Sequence, residues 1–564
     1  MKSQLQTVGG VPALVVNGEV IPQTAYMTYY TERGCYADFQ KIGYNLFSVS
    51  LSFSSQTINE ATQSPPFCKG IYDGVYDGEK PNYTSIDQAL EKIVTACPNA
   101  YIFPRVNVSL PKRWEEENVD ELCDFGYTEH RRACFSSEKW AEEVKRLLRD
   151  FIAYIESSTY KDHVIGYQLA GGNTEEWFSF DLKGSIGKRS REGFERYCQE
   201  NNIENSEANY YAYLSEVVAG RLCEFAGVVK ECVQNRLVVG VFYGYTLECP
   251  SRTSCHHALD KVLESENIDF ICSPVSYANF RSTGMDHVNM LPLDSLKLHG
   301  KLYFAECDQR THLTRPPNAL PAYNTWIWQP TEKESTLEIL KLLFARALTH
   351  GHAMWWFDMW GGWYADAEYL SLMKRAREIA VEALPLCKKS SARVAVFIDE
   401  KGYAALKDGE KRLIVGRDFR HTLGLTGVPY DIYLLSDFDR VAGSYDAVVF
   451  LVTYPTEGVL SRIERAKKEK IPAIVIDESN MGMSVEELRA LYQEANILPR
   501  INRRGVVYES ESHVFLHTAE EGEYSFEVGG QTRFVDEFTK TEYVFPTVLK
   551  KGVSLLFKKD KKKI

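Results

Sequence analysis

The stretch EKWAEEVKRLLRDFIAYIESSTYKDHVIGYQLAGGNTEEW, residues 138–177, contains a pattern that recurs through most of the chain. From Trp140, apolar residues fall at offsets 0, 4, 7, 8, 11, 12 and 15, which is one face of a helix with 3.6 residues per turn. Ser136 and Ser137 precede this helix as candidate caps. The apolar run His163–Gly171 follows and is typical of a strand. A helix followed by a buried strand is one repeat of an α/β fold.

Short apolar runs of this kind alternate with helical stretches from about residue 20 to residue 385. The runs are continuously apolar, as expected of parallel strands that helices cover. The eight predicted strands are Ala25–Tyr30, Asn45–Leu51, Ala100–Val108, Val164–Ala170, Leu237–Tyr245, Ile268–Tyr277, Leu302–Glu306 and Ala353–Phe357. The clearest predicted helices are Glu138–Glu156, Ser190–Asn201, Glu207–Gln234, Glu332–Thr349 and Asp366–Leu384. Eight strands that alternate with helices predict a (β/α)8 TIM barrel.

The 564 residues exceed what a single hydrophobic core can organise, and three domains are predicted. The barrel takes residues 1–388 and ends before a linker, KKSSAR, at Lys388–Arg393. Residues 389–500 read as a smaller α/β unit with a parallel sheet, and residues 501–564 as a small antiparallel β domain.

The net charge of −12 and a pI near 5.6 argue against nucleic acid or an anionic membrane as a partner. The only basic run, Lys558–Lys563, reads as a solvated tail. The chain starts without a secretory signal pattern, and no window approaches the roughly 18–20 apolar residues of a spanning helix. We therefore expect a cytoplasmic protein.

The 13 cysteines are odd in number, scattered, and contain no CxxC pair. They read as reduced thiols that mostly fill packing positions. Zinc bound by Cys249, Cys255 and His256 is the alternative.

Two of the predicted strands end in carboxylates. The fourth continues into GGNTEEW, and the seventh, KLYFAE, ends at Glu306. Because active sites of such barrels lie at the carboxyl ends of the strands, these acids are catalytic candidates. Glu176 is preferred to Glu175 because the aromatic residues Trp177 and Phe178 follow it and can desolvate it. The alternative is that TEEW only opens a helix, where acids are favoured.

Glu306 follows a fully apolar run, where an ionised acid is costly unless it is paired or hydrogen-bonded. This cost favours a functional role. The alternative is a structural pairing with Arg310 or Arg105.

The eighth strand reads HAMWWFDMWGGWY and carries four tryptophans within nine residues. Aromatic faces suit sugar rings, so Trp355, Trp356 and Trp363 are candidate substrate-binding residues, and Asp358 is a candidate for holding hydroxyl groups. The other candidates follow strands three to six and are Arg105, Asn173, Glu175, Tyr243 and Tyr277. A tyrosine near a nucleophilic carboxylate can orient it. Packing or loop structure is the alternative for each.

With acids after strands four and seven, the chain resembles the retaining glycoside hydrolases of the large (β/α)8 clan. Its domain order resembles that of the family 42 β-galactosidases, in which a flavodoxin-like trimerisation domain and a small β-sandwich follow the barrel; related trimeric β-mannosidases share this layout. The family shows Asn directly before its acid, whereas Asn173 lies three residues before Glu176. The resemblance implies that Glu176 is the acid/base, that Glu306 is the nucleophile, and that the protein is a homotrimer.

The expected function is that of a retaining exo-β-glycosidase that hydrolyses terminal β-linked sugars, galactosides or mannosides, by double displacement and without a cofactor. A catalytically inactive carbohydrate-binding barrel is the alternative. A metal-dependent hydrolase would need a His-x-His pair on the first strand, and the run AYMTYY has none.

Overall fold

The computed structural model describes residues 1–56, 68–124, 131–172, 174–179, 187–249, 251–315, 327–407 and 409–559. Within them, eight parallel strands form a closed barrel, in which the eighth strand pairs with the first. In chain order these barrel strands are Thr24–Thr28, Leu46–Ser52, Tyr101–Asn107, Gly166–Ala170, Val238–Phe242, Phe270–Pro274, Leu302–Cys307 and Ala353–Phe357. The predicted barrel is confirmed, and every predicted strand overlaps an observed one.

A helix follows each barrel strand and covers the outside of the sheet. The helices of this part are Tyr36–Lys41, Thr84–Ala96, Lys112–Glu117, Glu138–Ser157, Lys188–Asn201, Glu207–Cys232, Leu259–Glu264, Leu293–Leu298, Lys333–His350 and Ala367–Glu382. The helix that starts at Glu138 is capped as predicted, because the Ser137 side chain accepts the N–H of Trp140. No helix of the described ranges is both long and apolar enough to span a bilayer.

Aromatic rings fill the barrel interior below the strand ends. Phe304 lies 5.8 Å from Phe103, 5.4 Å from Phe270 and 4.3 Å from Trp355, measured between ring centroids. Gly240 makes room for this layer, since a Cβ there would lie 2.1 Å from the ring of Phe270. The layer forms a rigid apolar floor beneath the carboxyl ends of the strands.

A hairpin at the start of the chain was not predicted. Its strands Ser3–Val8, Val11–Val16 and Glu19–Val20 form an antiparallel sheet at the amino-terminal end of the barrel, where the Ser3 hydroxyl accepts the N–H of Val238 at 2.9 Å. The signal was present in the turns, because Gly-Gly at 9–10 and Asn-Gly at 17–18 favour the left-handed conformations that they adopt here.

Residues beyond the linker form a four-stranded parallel sheet with the order 2-1-3-4. Its strands are Val394–Ile398, Tyr430–Leu434, Ala447–Leu451 and Ala473–Ile476, and its helices are Val415–Leu425, Phe438–Val441, Glu457–Lys468 and Val485–Glu494.

The last part of the chain is antiparallel. Gly505–Glu509, His513–Thr518 and Ser554–Lys558 form one sheet, and Gly522–Tyr524, Thr547–Leu549, Arg533–Val535 and Glu542–Val544 form two further pairs. It packs on the barrel helix Lys333–His350, where the Ser554 N–H donates to Glu338 at 2.6 Å and Arg346 donates to the Tyr508 hydroxyl at 2.9 Å.

Candidate active site

Glu306 lies near the carboxyl end of barrel strand 7, beside Pro274 of strand 6 and Trp355 of strand 8. It is 2% exposed and forms an ion pair with Arg105, which comes from strand 3 across the barrel. Burial raises the pKa of Glu306, and the guanidinium of Arg105 opposes this rise. Of the two arginines predicted as structural partners, Arg105 pairs with Glu306, whereas Arg310 donates to the carbonyl of Ile327.

Arg105 is itself enclosed, with no exposed surface. It donates to the Gln168 side chain at 3.2 Å and to the Tyr29 hydroxyl at 3.4 Å, and its guanidinium lies 4.7 Å from the ring centre of Phe242. Among the described residues, the carboxylate of Glu306 is the one that pairs with it as an ion. A buried guanidinium whose other contacts are neutral favours an ionised Glu306.

The segment after strand 4 is a turn and not a helix, which removes the helical interpretation of TEEW. Thr174, Glu175 and Trp177 have φ values of 57°, 70° and 61°, in the left-handed region that costs side-chain-bearing residues about 1–2 kcal/mol each. The fully buried Trp177 anchors the turn, since its indole N–H donates to the Leu169 carbonyl at 3.2 Å. Backbone strain that packing maintains is common at functional sites.

Glu176 extends from this turn and is half-buried. Its carboxyl group accepts from the hydroxyl of Tyr245 at 2.5 Å and from the hydroxyl of Thr174. Burial raises the pKa of Glu176 to about 8, the two hydrogen bonds oppose the rise, and the negative charge of Glu306 adds to it. At neutral pH this carboxyl group therefore holds a proton, as a general acid must.

Glu175 points away from solvent and is 1% exposed. One carboxyl oxygen accepts from the Asn107 amide at 3.4 Å, and the other has no hydrogen-bond partner within the described residues. Burial raises the pKa of Glu175 to about 7, against the opposing charge of Arg105. Of the two neighbouring acids, the half-buried Glu176 is the one whose side chain is more accessible to solvent.

The eighth strand places its tryptophans on opposite sides of the sheet. Trp355 faces the barrel interior, where it stacks on Phe304 and lies 5.8 Å from the guanidinium of Arg105. Trp356 faces outward, where its indole N–H donates to the Tyr44 hydroxyl at 2.9 Å. The structure therefore brings Trp355 to the site and does not bring Trp356 there, because neighbouring residues of a strand point to opposite faces.

The structure gives Asp358 a different task from holding sugar hydroxyls. Its carboxyl oxygens accept from the Tyr26 hydroxyl at 2.9 Å, from the Gly362 N–H at 3.0 Å and from the Trp363 N–H at 2.8 Å. Asp358 thus fixes the turn after strand 8. Trp363 lies buried in that turn, edge-on to Trp360 at 5.4 Å, and its backbone carbonyl accepts from the Thr311 hydroxyl at 2.7 Å.

Of the two tyrosines that follow strand 5, the site contains Tyr245 and not Tyr243. Tyr243 donates to the Cys255 carbonyl at 3.4 Å and stacks on His256, behind the carboxylates. The sequence alone does not distinguish these tyrosines, because strand 5 ends at Phe242, before both of them, and strand alternation no longer decides where their side chains point.

Tyr277 lies at the edge of the site and is half-buried, and the charges of Glu176 and Glu306 both raise its pKa, after burial. Arg281 lies 4.6 Å above its ring and forms an ion pair with Asp308 at 2.6 Å. Asp308 was not predicted as a site residue. Its position, two residues after Glu306 at the end of the same strand, could have indicated it.

Asn173 lies outside the described residues. Among those that are described, no group of three or more His, Cys, Asp or Glu side chains is arranged to hold a metal ion, and no disulfide joins the cysteines.

No protein-family model and no curated protein sequence matches the chain. Solved structures do match it. The β-galactosidase from Bacillus circulans sp. alkalophilus has a TM-score of 0.64 at 10% identity, over 96% of this chain and 99% of that chain. The β-galactosidase from Rahnella sp. R3 has a TM-score of 0.63 at 10% identity, over 99% and 100%. A catalytic mutant of the family 42 β-galactosidase from G. stearothermophilus has a TM-score of 0.59 at 9% identity, over 95% and 98%. The chain therefore resembles the family 42 β-galactosidases in fold.

Proposed function

We propose that this protein is a retaining exo-β-glycosidase that hydrolyses terminal β-linked sugars, with β-galactosides as the first candidate substrates. One observation carries the proposal. Glu306 and Glu176 follow strands 7 and 4 and lie close enough for the charge of one to raise the pKa of the other, but their environments differ. Glu306 has a buried guanidinium as its partner, whereas the donors to Glu176 among the described residues are two hydroxyl groups. Such a pair suits a nucleophile and an acid.

In the first step, a carboxylate oxygen of Glu306 attacks the anomeric carbon while the bond to the leaving oxygen breaks. Glu176 gives its proton to that oxygen, so the aglycone leaves as a neutral alcohol. Arg105 keeps the attacking carboxylate in place through its ion pair. For this chemistry the two carboxyl groups must lie about 5–5.5 Å apart in the substrate complex.

In the second step, the carboxylate of Glu176 takes a proton from water, which attacks the anomeric carbon and releases Glu306. The charges explain how one residue serves as acid and then as base. In the glycosyl-enzyme, Glu306 is an ester and has lost its negative charge, which is one of the causes that raise the pKa of Glu176. The pKa of Glu176 therefore falls between the two steps.

The fold resemblance supports a galactoside, and β-mannosides are the second candidate because the two sugars differ only in the orientation of single hydroxyl groups. A panel of chromogenic β-galactoside, β-mannoside, β-glucoside and β-glucuronide tests the proposal. Hydrolysis with a β-configured first product, seen by NMR, supports retention. Binding of a sugar without turnover on any member of the panel would instead favour the inactive carbohydrate-binding barrel.

Replacement of Glu306 by alanine identifies the nucleophile. Azide should restore turnover of an activated β-glycoside and yield the α-glycosyl azide, because a small anion then attacks from the face that the carboxylate occupied. Restored turnover without an azide product would contradict this assignment.

We also propose a homotrimer in which the second domain, residues 389–500, lies at subunit contacts. Leu460 and Tyr454 support this, because they leave apolar surface exposed on that domain, 52% and 36% of each residue. Light scattering should give three times the chain mass of 64.3 kDa. A mass of one chain would reject the trimer.

A further inference from the structure

We propose that His256 is a positioning residue that holds Tyr245 against the catalytic acid, and so links the loop after barrel strand 5 to the loop after strand 4. This inference rests on the proposed function, because it assigns Glu176 as the acid. His256 never touches the substrate in this view. It acts through Tyr245, whose hydroxyl donates to the Glu176 carboxyl group at 2.5 Å.

The imidazole of His256 holds the backbone of the tyrosine loop. Its Nδ1 accepts from the N–H of Gly244 at 3.3 Å and from the N–H of Tyr245 at 3.2 Å. An acceptor at Nδ1 requires that the proton of the neutral ring be on Nε2. The main chain adds a further contact, since the Thr246 hydroxyl donates to the His256 carbonyl at 3.0 Å.

The same ring is clamped between aromatic side chains of both loops. The ring of Tyr243 stacks on it at 4.3 Å between centroids, with 19° between the planes. The ring of Phe178, two residues after the acid, is tilted against it at a centroid distance of 4.7 Å. Tyr245 meets the ring edge-on at 5.4 Å. His256 is therefore packed against the residues on either side of the Tyr245–Glu176 hydrogen bond, and its exposure is 0%.

The charge state of His256 fits a positioning role and not proton transfer. Burial and, to a smaller extent, the neighbouring His257 lower the pKa of His256 to about 3, against the opposing effect of the backbone of Glu176 and Trp177. The ring therefore stays neutral at any pH at which the enzyme works. A protonated Nδ1 would also face two N–H donors and lose both hydrogen bonds.

The consequence is specific. The hydrogen bond from Tyr245 lowers the pKa of Glu176, so loosening Tyr245 should move the alkaline limb of the pH profile to higher pH. A residue that only stabilises the fold would change the melting temperature and leave this limb in place. The pH profile thus separates positioning from general stability.

The test is a double-mutant cycle on kcat/KM against pH with a chromogenic β-glycoside. Y245F should lower kcat/KM roughly 10- to 100-fold, because the lost hydrogen bond stabilises the charge that Glu176 gains as it gives up its proton, and should move the alkaline limb upward. H256F keeps a ring but has no acceptor, and like Y245F it should lower kcat/KM and move the alkaline limb to higher pH. The double variant should lose no more than about twofold beyond Y245F alone, because both act through one hydrogen bond.

H256N is the matched rescue, since its amide oxygen lies where Nδ1 lies and can accept the same two N–H groups. It should regain most of the kcat/KM and the original limb. If H256F does not fold, H256Q takes its place in the cycle, because its polar atoms lie one bond further out. Losses that multiply in the double variant, or an unmoved limb in H256F, would overturn the proposal. Wild-type protein without glycosidase activity would overturn the proposed function first, and this inference with it.

Discussion

Replacement of Glu306 by glutamine perturbs the one ion pair at the centre of the barrel. The variant keeps the shape of the side chain but leaves the guanidinium of Arg105 without its partner charge, in a position with no exposed surface. Turnover of β-glycosides should fall by several orders of magnitude, because an amide cannot form the covalent intermediate. The stability of the fold should fall as well, which distinguishes this acid from an ordinary catalytic group on a surface.

The size of the stability loss follows from what remains around Arg105. Removal of one partner of a buried pair costs about 3–5 kcal/mol when the other charge is left uncompensated. Here Gln168 and Tyr29 still accept hydrogen bonds, and Glu175 is a second carboxyl group whose pKa Arg105 lowers. Glu175 can ionise and replace part of the lost charge. We therefore expect the free energy of unfolding to fall by about 3 kcal/mol in E306Q, and by more in the variant that combines E306Q with E175Q.

Thermal unfolding at pH 7, followed by near-ultraviolet circular dichroism, measures both variants against wild type. A loss of this size should lower the melting temperature of a large domain by a few degrees. The combination R105M and E306Q is the control, since removing both charges should recover stability relative to E306Q alone. Equal melting temperatures for wild type, E306Q and the E306Q/E175Q variant would refute the buried ion pair on which the mechanism depends.

Three further outcomes follow from the site. The wild-type kcat/KM should fall about tenfold per pH unit above a pH near 8, because Glu176 loses its proton there. The residual activity of E176Q should lack this alkaline limb of the pH profile. An alkaline limb that begins below pH 6 in the wild type would contradict the assignment. Because the fold raises the pKa of Glu175 from 4.5 to about 7, the folded protein holds a proton that the unfolded chain releases, so stability should decline by up to about 3 kcal/mol as pH rises through this window. Between pH 4.5 and 7, the melting temperature of E175Q should therefore rise relative to that of wild type. As the control, E195Q changes an exposed glutamate, and the difference between its melting temperature and that of wild type should stay constant over the same pH range. D358N should lower the melting temperature, because the amide has one acceptor oxygen in place of two and can no longer accept from both the Gly362 N–H and the Trp363 N–H; thermal unfolding measures the loss, and an unchanged melting temperature would argue against this role.

The barrel could be predicted because its strands carry their signal locally. A strand that helices cover on one side and that faces a packed interior on the other is apolar throughout, so runs such as Leu302–Cys307 stand out from the amphipathic helices between them. The two acids stood out for the same reason, since Glu306 interrupts such a run. That both should lie at one end of the barrel followed from parallel strands alone.

What the sequence did not predict depends on the direction of individual side chains. Trp355 and Trp356 are equally aromatic, and only the register of strand 8 against strands 7 and 1 decides which of them faces inward. Asp358 was expected to face the substrate, but hydrogen bonds from Tyr26 and from the following turn occupy it. The partner of an acid is a tertiary contact, so the pairing of Tyr245 with Glu176 could be recognised only in the structure.

The charges of the site follow from the limited number of buried cations. Four carboxyl groups meet at the ends of strands 4 and 7, and two guanidinium groups lie among them. Arg105 pairs with Glu306 and Arg281 pairs with Asp308, so within the described part of the chain Glu175 and Glu176 have no cation of their own, and burial raises the pKa of each. A low-dielectric site cannot hold four ionised acids against two cations, and the uncompensated pair retains protons. One of these protons is on Glu176, the more exposed of the two acids, which is what the proposed cleavage of an uncharged glycoside requires.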